Sequence, residues 1–520
     1  MSLLMKYAKD KGLDIFEGDD DDSFHAYGNL TGYNALDIFT GTVDYDVFGL
    51  PRLNGGLFPR AITVVGESTT GKTTLAVRLG SSIIDRWNRI HGDLAEMIFF
   101  DVEDNTSIKR IQMLTNWTDW EILNRIKHST AVVSVVDIYN EIRQLADLKE
   151  KNKDKLMVKT GQRDLDGSEI KVYSPTIALV DSIAVLNSVG IDEMEFDKTG
   201  DLKVVEKMAG NMVAAQEAKA NTAFIKKVKG YLSKYNIILI MVNHITEEIS
   251  TSMYDIPARY LTFLKPGQKL KGGKELVYQS FAIINLSVKT RINDKDPIYG
   301  DVIRGSVTHL TLIKNKSNVE GIPIPMVFDQ KTGYRPELSD WEYLYNAAYG
   351  FGGSPARYYL HILPEVTFTK KGLYEACQTN PLLARAMSFT ARLKMICDVV
   401  KNKTAPNLEE LGKTMAYNER VSAIVTFTEA YPGYESLDMV LPRAIQETAL
   451  NAQKYLISND LKFDMTGAQV FDDEWFSELD AAATIAAGDT VCVPSFNPVT
   501  PYDTVVKEED FEYIFPSEEE

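Results

Sequence analysis

Residues 61–74 read AITVVGESTTGKTT, and this stretch decides the fold. Its β-branched start predicts a strand, its glycine- and threonine-rich middle a turn, and the amphipathic segment from Lys72 to about Ile90 a helix. The turn has the spacing Gly-x4-Gly-Lys-Thr, in which backbone N–H groups can converge on phosphate oxygens at the N-terminus of a helix. We therefore predict a phosphate-binding loop, the alternative being a glycine-rich turn without a ligand.

The side chains of such a loop have distinct roles. Lys72 would reach the β- and γ-phosphates of a nucleotide, and the Thr73 hydroxyl would be a ligand of Mg²⁺. ATP with Mg²⁺ is the expected pair of ligands. The residues predicted to bind the nucleotide are Gly66, Glu67, Ser68, Thr69, Thr70, Gly71, Lys72, Thr73 and Thr74.

Two further apolar runs end in acidic residues. Asp181 follows the run 176–180, where a carboxylate could hold magnesium through water, although an aspartate at a strand end is often only a turn former. Asp101 and Glu103 follow the run 97–100, and one of them could orient and deprotonate the water that attacks the γ-phosphate. The residues alone do not separate Asp101 from Glu103.

Strand-like and helical patterns alternate outward from the loop. This alternation predicts a doubly wound α/β domain with a mainly parallel sheet and helices on both faces. The patterns lie at 97–100, 136–149, 176–180, 208–235 and 237–242. Later strand-like runs have no long helix between them and predict an antiparallel extension of the sheet; they lie at 280–290, 309–314 and 325–329. The charged stretch 149–167 predicts an exposed loop.

Four regions are predicted along the 520 residues. Residues 1–45 form an N-terminal arm with an acidic run, and 46–337 the α/β core. Residues 338–457 form a small, mostly helical C-terminal domain, and 458–520 an acidic, partly disordered tail. The tail is either plain solvated charge or a competitor of DNA for a basic surface.

Composition limits the classes of function. Apolar residues at 44% and charged residues at 25% are typical of a globular chain, and three widely spaced cysteines argue against a disulfide framework or a zinc site. Neither a signal peptide nor a membrane span is predicted, so we expect a cytoplasmic protein. The net charge of −17 does not exclude nucleic acid, because the distribution of charge matters more than its sum.

These motifs together resemble the RecA family, closest to its phage UvsX-like branch, over roughly residues 46–350. The resemblance implies a RecA-like P-loop ATPase core. In that family the strand after the phosphate-loop helix ends in Asp-x-Glu, with the glutamate as catalytic base, which implies Glu103. Val180-Asp181-Ser182 resembles the family's magnesium strand, and Met241-Val242-Asn243-His244 the strand that ends in the γ-phosphate sensor, which implies His244.

Three more positions follow from the resemblance. The segment Leu312 to Lys316 is similar to one whose lysines reach the neighbouring protomer's ATP, so Lys314 and Lys316 are implied to act in trans. The family commonly stacks an aromatic residue on adenine seven positions after the glutamate. Here that position is Arg110, whose guanidinium can also stack.

Residues 245–274 combine basic and aromatic side chains without a clean period, which is typical of a loop that binds single-stranded DNA. The segment corresponds to the family's second DNA loop, and an ordinary flexible loop is the alternative. The residues predicted to contact DNA are Arg259, Tyr260, Phe263, Lys265, Lys269, Lys271, Gly272, Gly273 and Lys274.

The resemblance implies a DNA-dependent ATPase that forms helical filaments on single-stranded DNA and exchanges strands with a homologous duplex. Single-strand-binding or loader proteins are further implied partners, and a phage-encoded chain would act in the host cytoplasm. Two alternatives stay open: a ring-forming replicative helicase of the DnaB type, and a non-catalytic, ATP-bound filament scaffold.

Overall fold

A computed structural model describes residues 27–45, 51–130, 134–163, 169–183, 186, 195–196, 202–203, 213–247, 264, 267–270, 274–296, 300–318, 320–399, 405–418, 420–421 and 423–424. Their helices are α1 (Asn34–Thr40), α2 (Lys72–His91), α3 (Ile108–Thr115), α4 (Asp119–Arg125), α5 (Val135–Lys151), α6 (Lys153–Leu156), α7 (Val213–Lys234), α8 (Lys274–Gln279), α9 (Pro336–Ala347), α10 (Leu373–Thr379), α11 (Pro381–Val399) and α12 (Leu408–Thr414).

The strands of these residues are β1 (Thr42–Tyr45), β2 (Pro51–Asn54), β3 (Ala61–Gly66), β4 (Glu96–Asp101), β5 (Ile126–Ser129), β6 (Met157–Arg163), β7 (Glu169–Tyr173), β8 (Thr176–Asp181), β9 (Glu195–Phe196), β10 (Leu202–Lys203), β11 (Ile237–Glu247), β12 (Gln268–Leu270), β13 (Ala282–Asp296), β14 (Gly300–Asn315), β15 (Pro323–Asp329), β16 (Gly333–Arg335), β17 (Phe351–Ser354), β18 (Arg357–Leu360) and β19 (Leu363–Phe368).

One large sheet organises the molecule, in the order β5, β4, β8, β11, β3, β13, β14, β15, β16. The strands from β5 to β13 run parallel, and those from β13 to β16 pair antiparallel. This confirms the mainly parallel sheet with an antiparallel extension. The short strand β12 pairs antiparallel with the end of β11.

Helices cover both faces of the parallel part, as predicted. Ile177 and Leu179 of β8 point into the larger apolar core, which contains the buried face of α2. Ala178 and Val180 point the other way, into a second core with residues of α5 and α7. A strand buried on both faces must be apolar at successive positions, which explains why these strands read as continuous apolar runs.

The region after Arg335 shares the larger core with the sheet. Buried residues of α9 and α11, such as Trp341 and Met387, belong to the same apolar cluster as Ile62 of β3. The buried helix α1 joins them, because the Asn34 amide donates hydrogen bonds to Asp340 at 2.6 Å and Ser388 at 2.8 Å. This region also contains the antiparallel sheet β17–β18–β19, which its helical pattern did not predict.

Residues 149–163 form helices and a strand and not the loop that the charge of 149–167 predicted, and residues 164–167 lie outside the described ranges. Residues from Met157 onward pair as β6 with β7, and Lys149 is 2% exposed at the end of α5. Its ammonium donates to the carbonyl oxygens of Ser174 at 2.5 Å and Tyr235 at 3.0 Å. The aliphatic part of a lysine side chain can pack on apolar surface when backbone carbonyls accept hydrogen bonds from its ammonium group. The composition of the segment does not reveal those carbonyls.

Candidate nucleotide site

The candidate site lies where β3, β11, β8 and β4, four neighbouring parallel strands, end at one edge of the sheet. The register sets His244 beside Gly66 and Asp101 beside Asp181. Parallel strands bring their carboxyl ends to the same edge, and ligands of open α/β sheets bind there. The tertiary fold thus unites segments that are far apart in the sequence.

The phosphate loop curls between β3 and α2. Lys72 Nζ and Thr70 Oγ1 both donate to the Glu67 carbonyl, at 2.8 and 2.9 Å. Gly71 has φ of +83°, a left-handed conformation that glycine adopts without strain. Of the predicted loop residues, Glu67, Ser68 and Thr69 are exposed; Gly66, Thr70, Lys72 and Thr74 are buried, and Gly71 and Thr73 are half-buried.

The charged form of Lys72 is destabilised by its buried position. Burial lowers its pKa from the usual value, and the charges of Asp181 and Glu103 offset part of that effect. A ligand with negative phosphates would stabilise the charged form, so binding an anion here relieves an unfavourable burial. The loop therefore combines a buried lysine with a helix N-terminus, which together favour an anion.

Glu103 is held at the centre of the site. Its Oε1 accepts hydrogen bonds from the Ser182 hydroxyl at 2.5 Å and from His244 Nε2 at 3.1 Å, and its Oε2 accepts from the Asn105 amide at 2.9 Å. Desolvation raises the pKa of Glu103, but the hydrogen bonds from Ser182, His244 and Asn105 outweigh it, so the net shift is downward. The carboxylate is ionised at neutral pH and can accept a proton.

Asp101, the competing acid, has a different set of partners. It is 1% exposed, and its oxygens accept from the backbone N–H groups of Asn105 at 3.2 Å and Thr106 at 2.9 Å, with His128 Nε2 at 3.2 Å. These bonds shape the loop after β4. The geometry therefore separates the two acids: Glu103 faces the candidate site, and Asp101 supports the backbone.

Thr73 and Asp181, the predicted magnesium ligands, are in direct contact. The Thr73 hydroxyl donates to Asp181 Oδ2 at 2.5 Å. Burial raises the pKa of Asp181 to about 6, helped by the charges of Glu103 and Asp101 and opposed by the Thr73 hydrogen bond. A buried carboxylate with this raised pKa is a position where a cation would be stabilising.

Two residues of the site were missed from the sequence. Ser182 is fully buried and positions Glu103, a role that its place after the magnesium strand did not reveal. Tyr334 of β16 lies 264 positions after Thr70, yet its hydroxyl donates to the Thr70 carbonyl at 3.0 Å. Nothing in the local pattern around Tyr334 indicates that contact.

The three remaining predicted nucleotide contacts lie apart from Glu103. Arg110 is half-buried in α3 and donates to the Gln330 carbonyl at 2.8 Å. Lys314 donates to the carbonyls of Val277 and Tyr278, both at 2.7 Å, at the end of α8. Lys316 is exposed. Its N–H bonds the Phe281 carbonyl at the amino edge of the sheet, opposite the phosphate loop.

Most of the predicted DNA-binding residues lie outside the described residues: Arg259, Tyr260, Phe263, Lys265, Lys271, Gly272 and Gly273. Lys269 stands in β12, opposite Thr246 of β11, and Lys274 begins α8. The described backbone thus places the two ends of the predicted loop on an antiparallel ladder. This ladder starts one residue after His244.

No protein-family model and no curated protein matches this chain, so the site stands on its own geometry. Among the described residues, no group of three or more His, Cys, Asp or Glu is arranged to hold a metal ion. Thr73 and Asp181 still suit Mg²⁺, which keeps several waters and takes few protein ligands beside phosphate oxygens. No helix within the described ranges has the length and apolar character to cross a membrane.

Proposed function

We propose that this chain is a RecA-type, DNA-dependent ATPase that forms filaments on single-stranded DNA and promotes strand exchange with a homologous duplex. One observation carries the ATPase part of the proposal. The Glu103 carboxylate is oriented by Ser182 and His244 beside the phosphate loop and the Thr73–Asp181 pair. That arrangement supplies a phosphate cradle, a magnesium position and a base at one edge of the sheet.

The chain's own residues would divide the hydrolysis of ATP as follows. Backbone N–H groups of the loop and the Lys72 ammonium bind the phosphates. Glu103 takes a proton from water as the water oxygen bonds the γ-phosphorus. The bond from that phosphorus to the β–γ bridging oxygen then breaks, which leaves ADP and inorganic phosphate. His244, whose ring contacts Glu103, would respond to the presence of the γ-phosphate.

Magnesium would be held by the Thr73 hydroxyl and, directly or through water, by Asp181. When bound it neutralises charge on the phosphate oxygens. The Thr73 hydroxyl could serve both partners, because its oxygen has lone pairs for a cation while its O–H donates to Asp181.

The proposed DNA loop is connected to this site in two ways. First, β11 continues past His244, and its residues Ile245–Glu247 pair with β12. Second, Leu264 and Leu270, near the end of the loop, form a small apolar cluster with Val65, which precedes Gly66. These two contacts with β3 and β11 support coupling between ATP binding and DNA binding. A shift of His244 would move the β11–β12 ladder, which holds the proposed DNA loop.

The position of Lys316 supports assembly. It is exposed at the amino edge of the sheet, and Glu103 lies at the carboxyl edge, so the two cannot meet within one protomer. A head-to-tail arrangement would bring the amino edge of one protomer to the carboxyl edge of the next, and repetition of such a contact generates a filament. Lysines added in trans would stabilise charge on the γ-phosphate only after assembly.

The deciding experiment measures ATP hydrolysis by the full chain with and without single-stranded DNA, beside electron micrographs of the same mixtures. The expected result is strong stimulation by DNA, helical filaments, and no hydrolysis by the Lys72→Ala variant. Rings that unwind duplex DNA would favour the helicase. Filaments whose behaviour is identical in Glu103→Gln would favour the scaffold.

A further inference from the structure

Tyr334 lies directly beneath the phosphate loop. It is fully buried, and its hydroxyl donates to the Thr70 carbonyl at 3.0 Å. The ring also supports the next residue, because a Cβ placed on Gly71 would come within 3.0 Å of the phenol oxygen. One side chain therefore fixes two consecutive residues of the loop from below.

This hydrogen bond determines the direction of a backbone donor. The peptide unit between Thr70 and Gly71 is planar, and in the trans form its C=O and N–H point in opposite directions. Because Tyr334 binds the carbonyl, the Gly71 N–H is directed away from Tyr334. Loss of the hydroxyl would leave the Thr70 carbonyl without this donor and let the peptide unit rotate.

Tyr334 is itself held firmly. Its carbonyl accepts a hydrogen bond from the buried Tyr33 hydroxyl at 2.9 Å, and its ring lies 5.2 Å from that of Phe328 on the paired strand β15. Burial raises the pKa of the phenol more than the Thr308 hydroxyl lowers it, so the phenol is a neutral donor across the physiological range. The loop is thus attached to a rigid support.

We propose that Tyr334 is a positioning residue of the nucleotide site, whose phenol keeps the phosphate loop in the shape that binds phosphate. The inference rests on the proposed ATPase function and adds a residue to it. The Tyr334 hydroxyl binds the loop backbone and not Glu103, so it would act through the loop. Its loss should therefore weaken nucleotide binding and leave the chemical step largely intact.

The test compares Tyr334→Phe with Tyr349→Phe in the full chain. The Tyr349 hydroxyl also donates to a backbone carbonyl, that of Pro406 at 2.9 Å, in the C-terminal region. Both variants lose one phenol hydrogen bond, so both should lower the melting temperature slightly. Only Tyr334→Phe should weaken ADP and ATP binding in calorimetry and raise KM, by roughly three- to tenfold, with kcat close to that of the wild type.

Three other results have distinct meanings. If the wild type binds ATP and Lys72→Ala does not, but Tyr334→Phe binds like the wild type, the role of Tyr334 is wrong and the proposed function stands. If the wild type binds no ATP, the proposed function and the role of Tyr334 are both wrong. If Tyr334→Phe does not fold, amide hydrogen exchange in the wild type replaces the comparison of variants. Binding of ADP should then slow exchange at 333–335 together with 67–73. Protection of 67–73 alone would contradict the proposal that Tyr334 supports the loop.

Discussion

The two edges of the central sheet both carry buried or half-buried charges, but they satisfy them differently. At the carboxyl edge, the predicted magnesium ligands and the candidate base bind other side chains: Thr73 binds Asp181, and Ser182 and His244 bind Glu103. At the amino edge, the Lys149 and Lys314 ammonium groups donate to backbone carbonyls, which close the ends of helices and loops.

This difference indicates where function lies. A side-chain pair such as Thr73–Asp181 can rearrange around a ligand, because neither side-chain oxygen takes part in the backbone hydrogen bonds of α2 or β8. A lysine on a backbone carbonyl satisfies an acceptor that the fold would otherwise leave unpaired, so its removal affects stability first. Lys72 and Asp101 are exceptions at the carboxyl edge, because Lys72 donates to the Glu67 carbonyl of its own loop and Asp101 accepts from the backbone after β4.

The largest effect is expected at Glu103. Glu103→Gln removes the proton acceptor and should lower the hydrolysis rate by about 10² to 10⁴-fold while ATP binding persists. Asp101→Asn is the matched control, since it makes the same change in the acid that binds backbone N–H groups. It should lower the melting temperature and keep most of the activity. Phosphate release and thermal melting measure the two properties. If Asp101→Asn abolished hydrolysis and Glu103→Gln only lowered the melting temperature, Asp101 would be the base and Glu103 the structural acid.

The next prediction tests whether Lys316 at the amino edge of one protomer acts on the site at the carboxyl edge of another. Lys316→Ala should abolish most DNA-stimulated hydrolysis, as Glu103→Gln does, but a mixture of the two variants should regain activity. A Lys316→Ala protomer keeps its own Glu103 and can receive Lys316 from a Glu103→Gln neighbour. A mixture of Lys72→Ala with Glu103→Gln is the control and should stay inactive, because both residues act within one protomer. No recovery in the first mixture would place Lys316 outside the site.

A smaller effect, with a definite sign, is expected at Asp181. Its pKa is raised to about 6 in the folded chain, so its ionisation disfavours folding as pH rises from about 4 to 6. At pH 7.5 Asp181→Asn should stabilise the nucleotide-free protein by about 2 kcal/mol and weaken Mg²⁺-dependent ATP binding by about 10- to 100-fold. The stabilisation should vanish below pH 4.

Asp329→Asn should change the free energy of unfolding in the opposite direction. Desolvation raises the pKa of Asp329, but hydrogen bonds from Thr332, Arg304 and Lys331 outweigh it and leave the pKa below its usual value. Removing that charge should therefore destabilise the protein at pH 7.5 and matter less in acid. Melting curves of both variants between pH 4 and 7.5 measure the two stability changes. If both variants were more stable, or both less stable, than the wild type at pH 7.5, the argument from burial would be wrong.

The last effect is expected at Lys149, and it concerns stability alone, without a change in ATP hydrolysis. Burial lowers its pKa to about 7, more than Glu96 raises it, so the unfolded chain binds more protons between pH about 7 and 10.5. The wild type should gain stability relative to Lys149→Met as pH rises through that window. Lys151→Met, at an exposed position of the same helix, should show no such trend in thermal melting.

Much of the parallel sheet could be predicted from the sequence. Strands buried on both faces must be apolar at every position, so β3, β4, β8 and β11 appear as continuous runs. The edge strand β5 and the short strand β16 were missed. Ile126–Ser129 is only partly buried and polar at most positions, and three residues cannot display a period.

The sequence by itself predicted the phosphate loop, because its glycines and Lys72 lie within one turn. The residues left Asp101 and Glu103 open and only the resemblance favoured Glu103, whereas tertiary structure distinguishes them by the partners that β8, β11 and the loop after β4 bring to them. It also decided the roles of Ser182, Tyr334 and Lys149. Each depends on a hydrogen bond across many residues, and such a contact exists only once the chain has folded.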